Sequence, residues 1–212
     1  MTPTRISRAS TRLIKRCIAV AALLTVTALG LASPASATFG SVPCSIYMNV
    51  RQCVFLQPNM NVKYGFEGTV GNQIPGFSNA YDWAAANVYN ATDLLYFRDL
   101  TGSKQNAHVY VTDFNFNDNG YYAWTECLPG SLTGGLGTNR WCYPQKLRFN
   151  SYYSAAYSTT AKKRAEACHE TGHAVGLRHP VAPNTTNTCM HTGMNSTTHL
   201  SAAEKSQINS HY

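Results

Sequence analysis

The chain has 212 residues, 44% of them hydrophobic, with 17 Lys and Arg against ten Asp and Glu. That length suits one domain with a sizeable core and excludes two ordinary domains beside a targeting segment. The formal net charge of +7 does not point to nucleic acid: Arg5, Arg8, Arg12, Lys15 and Arg16 all precede an apolar run at residues 17–31, and the rest of the chain keeps 12 basic against ten acidic residues, near +2.

After the apolar run come Ser33, Pro34 and the small-residue site Ala35-Ser36-Ala37, the layout of a secretory signal peptide cleaved after about Ala37. The run is shorter than a membrane-spanning helix requires, and no second one follows. The expectation is a signal at residues 1–37 and one secreted, monomeric domain at 38–212, with no membrane association once the signal is removed. Cys17 leaves with the signal. Cys44, Cys53, Cys127, Cys142, Cys168 and Cys189 remain, an even number that in an exported chain points to disulfides, although six cysteines allow 15 connectivities. Sequence neighbours suggest Cys44 with Cys53 and Cys127 with Cys142, which leaves Cys168 with Cys189. The alternatives are a thiolate that blocks a metal in a latent form, with Cys44 the candidate, or a fourth structural ligand.

Residues 38–60 read as a poorly patterned lead-in. A weak alternation at 62–66 predicts a first strand, and Gly71, Pro75 and Gly76 then signal a loop. Residues 79–89, with Trp83, Ala86 and Val88, predict an amphipathic helix; 94–97 and 108–114 predict two short strands, hence a mixed sheet. The oxygen-rich stretch 113–120 lacks the glycine and the terminal Glu of an EF-hand loop, so a polar turn is preferred and a structural calcium ion has no support. Three glycines within residues 131–140 lack the ending of a phosphate loop and read as a flexible segment closed by Cys127 and Cys142. Residues 146–153 predict a strand, and Ser158 or Thr159 can cap a helix expected to reach about Leu177. Lys162, Lys163 and Arg164 read as its solvated face. Ser201 and Glu204 form a capping box opening a short last helix with Ile208 inward.

Residues 169–179 read His-Glu-Thr-Gly-His-Ala-Val-Gly-Leu-Arg-His. His169 and His173 are four apart and share one helix face, where two imidazoles can bind a single metal ion. Glu170 follows the first ligand and can hold a water on that metal without coordinating it, as a general base must. Gly176 lets the chain leave the helix, and His179 can return as third ligand. Three ligands leave a position open, which marks a catalytic zinc site rather than a structural one. His108, His191, His199 and His211 are assigned no metal.

These residues resemble the extended zinc signature of the metzincin metallopeptidases. The resemblance implies an α+β catalytic domain: a mixed twisted sheet with a long packing helix, a zinc-site helix and a C-terminal helix. It also implies a methionine turn beneath the metal, placed here at Thr188-Cys189-Met190. The HETGH core is similar to small secreted snapalysin-type enzymes, but those carry Asp as third ligand; His179 is similar instead to the matrixin-like and astacin-like branches. A tyrosine ligand two residues beyond the turn methionine is absent, the position being Thr192. Residues 121–128 look like the matrixin edge strand that pairs with substrate. The expectation is one catalytic Zn2+, a polypeptide substrate and a secreted endopeptidase; the alternative is a secreted binding module that keeps the metal for stability alone.

Overall fold

Alternation of apolar residues sets the sheet, and the sheet sets the rest. The computed structural model of the chain describes residues 37–39, 57–68, 70–101, 106–128, 131–134, 140–180 and 187–212. Its strands are β1 (Ala37–Phe39), β2 (Asn61–Phe66), β3 (Leu95–Arg98), β4 (Val109–Phe114), β5 (Ala123–Cys127), β6 (Leu132–Gly134), β7 (Arg140–Cys142), β8 (Gln145–Asn150) and β9 (Leu177–Pro180). Its helices are α1 (Phe77–Ala84), α2 (Thr160–Ala174) and α3 (Ala202–His211). Five strands make the main sheet in the order β3-β2-β4-β8-β5, with β5 antiparallel to β8 and the other pairs parallel. The expected α+β class is what these elements form: a mixed sheet, a packing helix, the helix carrying His169 and His173, and a last helix.

One face of the sheet is buried. Val62, Tyr64, Val109, Val111, Leu147 and Phe149 point into a core completed by Phe77, Tyr81 and Val88 on the α1 side and by Ala167, Cys168 and Ala174 of α2. Each large apolar side chain removed from water here contributes on the order of 1.5–3 kcal/mol. Alternate residues face outward, where Glu126 accepts from Arg148 Nε at 2.7 Å and Lys146 pairs with Glu67. A mostly parallel sheet usually has both faces covered; here charged side chains lie over the second face.

Several boundaries depart from the sequence expectation. The packing helix runs on through a π-helical segment, Ala85–Tyr89, closed by Asn90 N–H donating to the Ala85 carbonyl. The strand expected at 146–153 stops at Asn150, because Asn150 Oδ1 accepts from Tyr152 N and starts a 3-10 helix, Ser151–Tyr157. Asn150 is fully buried, and its Nδ2 donates to the carbonyls of Asn117 and Tyr121 and to Asn119 Oδ1. Asn115 and Asn119 accept from N–H groups two residues on, and Asp113 accepts from Gly71 and Ile74. The oxygen-rich stretch is therefore a polar turn whose side chains are engaged with backbone donors.

The helix expected to reach about Leu177 ends at Ala174. Gly176 takes φ +101°, a left-handed conformation costly for any other residue, and Leu177 already begins β9. β9 pairs antiparallel with β1, so residues read as the edge of the signal and lead-in are part of the sheet structure around His179. Lys163 and Arg164 are not an ordinary solvated face either. Lys163 Nζ donates to the Pro75 carbonyl at 2.5 Å, and the Arg164 guanidinium lies 4.2 Å from the centre of the Trp83 ring. Both tie α2 to the α1 region. Cys44, Cys53 and most of the expected signal lie outside the described residues.

Candidate metal centre

α2 starts where Thr159 accepts from Lys162 N–H, and it carries His169 and His173 one turn apart. β9 returns His179 to the same point. The three Nε2 atoms form a triangle with sides of 3.0, 3.0 and 3.1 Å. His169 Nδ1 donates to the Cys189 carbonyl and His173 Nδ1 to the Leu177 carbonyl, each at 2.8 Å. A carbonyl only accepts, so both rings hold their proton on Nδ1 and aim bare Nε2 lone pairs at the common point. Burial depresses all three imidazoles, His169 to about 3, and the neighbouring rings press the same way. Lone pairs that converge and resist protonation repel one another unless a cation sits among them, so this donor set fits a metal ion. Among the described residues it is the one such group.

The triad opens on a cleft of about 210 Å³. Its lining combines Gly120, Tyr121, Tyr122 and Ala123 with Thr192 and Gly193, and with Glu166, His169 and Glu170 of α2. Glu170 is 4% exposed and its Oε2 accepts from Thr125 Oγ1 at 3.0 Å; the same hydroxyl reaches the Glu170 carbonyl at 3.1 Å. Glu170 is pushed well above the usual carboxylate range by burial and then by the nearby Glu166, while Thr125 acts in the opposite direction. Burial likewise raises Glu166 to about 7. A dication at the triad would draw both carboxyls toward their ionised forms. Sequence reading missed Glu166 and Thr125; Glu166 was legible in principle, since it precedes Glu170 by one helical turn.

Met190 forms the floor. A Cβ added to Gly172 would stand 2.2 Å from Met190 Sδ, so glycine in the HETGH stretch lets the methionine pack directly under α2. Thr188 Oγ1 donates to buried Glu204 at 2.5 Å and accepts from Met190 N–H at 3.1 Å, while Glu204 also completes the α3 capping box. Cys168 and Cys189 form a disulfide between the residues preceding His169 and Met190, and Cys127 pairs with Cys142. The end of α2 is secured by Gln57 and Gln145, whose Nε2 atoms donate to the Ala174 carbonyl at 3.0 and 2.9 Å, and by Tyr212, whose hydroxyl donates to Val175. Tyr89, brought round by the π segment, donates to the Cys168 carbonyl. His199 contacts Asn187 and His211 packs on Phe39, both outside the triad.

No family model matches the chain, and no curated protein does. Among solved structures it is similar to two of myroilysin, each at a TM-score of 0.45. One is 14% identical, covering 74% of this chain and 95% of that one; the other is 17% identical, covering 84% and 94%. What the site can do follows from its own atoms. No helix among the described residues is long and apolar enough to cross a membrane.

Proposed function

We propose that the chain is a secreted zinc-dependent endopeptidase in which His169, His173 and His179 hold the metal and Glu170 is the general base. The observation that carries this reading is the convergence of three imidazole Nε2 atoms, from buried His169 and His173 and half-buried His179, beside a buried carboxylate in an open cleft. Three nitrogen donors with one side open to the cleft suit zinc in a catalytic rather than a structural role. Zinc held there would supply a Lewis acid that lowers the pKa of water and stabilises charge on the scissile carbonyl oxygen.

The chain's own residues supply the remainder. Glu170 takes the proton of the attacking water and passes it to the leaving amine, and Thr125 fixes the carboxylate orientation from β5. β5 ends the sheet order, so its outer edge offers main-chain N–H and C=O groups, and Ala123 at its start lines the cleft. A peptide added to that edge as a further strand would pass the metal. The two disulfides among the described residues suit an exported chain. Met190 supports α2 from below and takes no part in proton transfer.

The test is hydrolysis of a protein substrate before and after chelation, with zinc then restored. Activity that disappears with the metal and returns with zinc is expected. Full hydrolysis by metal-free protein would end the reading.

A further inference from the structure

We propose that Glu166 is a specificity-determining carboxylate, holding a cationic nitrogen of the substrate in the cleft beside the metal site. This rests on the peptidase reading above. Four carboxylates are buried among the described residues: Asp113, Glu166, Glu170 and Glu204. Asp113 accepts from two backbone N–H groups, Glu204 from Thr188 and Ser201, and Glu170 from Thr125. Glu166 is 7% exposed and has no hydrogen bond or ion pair among the described residues. A carboxylate taken from water without a partner is costly, and the cost is relieved when a partner arrives with the ligand.

Position says where that partner comes from. Glu166 lies four residues before Glu170 on the same helix face and lines the same cleft as His169 and His179. It does not hold Glu170 in place, because Thr125 does that and the Glu166 charge opposes ionisation of Glu170. No hydrogen bond joins the two carboxyls, so they do not form a proton-sharing pair. The group that complements an acceptor-only, enclosed carboxylate best is an ammonium or guanidinium. Tyr121 and Tyr122, which line the same cleft, offer ring surface to an aliphatic stem. The cation is a Lys or Arg side chain of the substrate or its free α-ammonium group.

The experiment uses the zinc-loaded full chain carrying Glu170→Gln, which binds peptides without cutting them, and the Glu166→Gln/Glu170→Gln double variant. Calorimetry compares three forms of one peptide: blocked termini with Lys placed at each position in turn, the same with norleucine, and the norleucine form with a free amino terminus. A cation should bind about 10- to 100-fold tighter than the blocked norleucine peptide, as expected for a charge-assisted hydrogen bond, and the double variant should lose that difference. Preference for the Lys form assigns the site to a side chain; preference for the free amino terminus assigns it to the α-ammonium. Equal binding of all three forms to the single variant overturns the proposal whether or not the double variant folds, and so does a preference that survives Glu166→Gln. Failure of the wild-type protein to cut any peptide would end the peptidase reading separately, since this measurement requires binding alone.

Discussion

Gly172 shows how one atom's absence shapes the site. Its missing Cβ is the space that Met190 Sδ occupies, and the phenol oxygen of Tyr89 closes it from another side, 3.2 Å from where that Cβ would be. Gly172→Ala should therefore push Met190 aside or lift α2, at a cost of about 1–3 kcal/mol, even though alanine is the better helix former. Urea denaturation of the metal-free variant measures this; unchanged stability would show that the floor yields freely. Glu204 concentrates two jobs in one buried carboxylate, capping α3 and holding Thr188, whose hydroxyl accepts from Met190 N–H. Glu204→Ala should cost about 2–4 kcal/mol, the loss of a cap plus a buried hydroxyl left without its acceptor. A loss below about 1 kcal/mol in the same assay would mean that only the helix end was affected.

At the scale of elements, the Cys168–Cys189 disulfide joins the helix bearing two imidazoles to the turn beneath them across 21 residues. Replacing both cysteines by alanine should lower stability by about 3 kcal/mol from chain entropy, and should also weaken metal binding because both connected elements frame the triad. Metal competition with a chromophoric chelator reads the second effect, and unchanged affinity would confine the bridge to stability. Much of this level was legible in the chain: β2, β3 and β4 from alternation, the capping box from Ser201 and Glu204, and the triad from spacing. What was not legible depended on contacts distant in sequence. Ala37–Phe39 carries no alternation of its own and becomes a strand because β9 offers it a partner. The π segment at Ala85–Tyr89 has no local signature and is anchored by Tyr89 reaching Cys168, 79 residues away. Lys163 and Arg164 read as solvated because a charge run says nothing of Pro75 or Trp83 across the helix pair.

Across the whole molecule, the strand bearing His179 is held by β1, and Phe39 of β1 packs on His211 and Tyr212, at centroid distances of 5.0 and 6.4 Å. Phe39→Ala, distant in sequence from every ligand, should cost about 2 kcal/mol, less than a fully buried phenylalanine, and should reduce metal affinity through β9. Metal and fold are linked in the other direction too. Saturation at a thousand times Kd adds about 4 kcal/mol, so chelation should lower Tm and zinc should restore it. An unchanged Tm would show that the ligands are not organised by the fold.

The most direct test asks whether scaffold and chemistry separate at Glu170. Its carboxylate lies beside the triad but is not one of the three converging donors. In Glu170→Gln, zinc content and thermal stability should stay at wild-type levels, while peptide hydrolysis should fall at least about 100-fold, the ordinary contribution of a general base. A Glu170→Gln protein that retains its zinc and cuts peptides at the wild-type rate would contradict the mechanism.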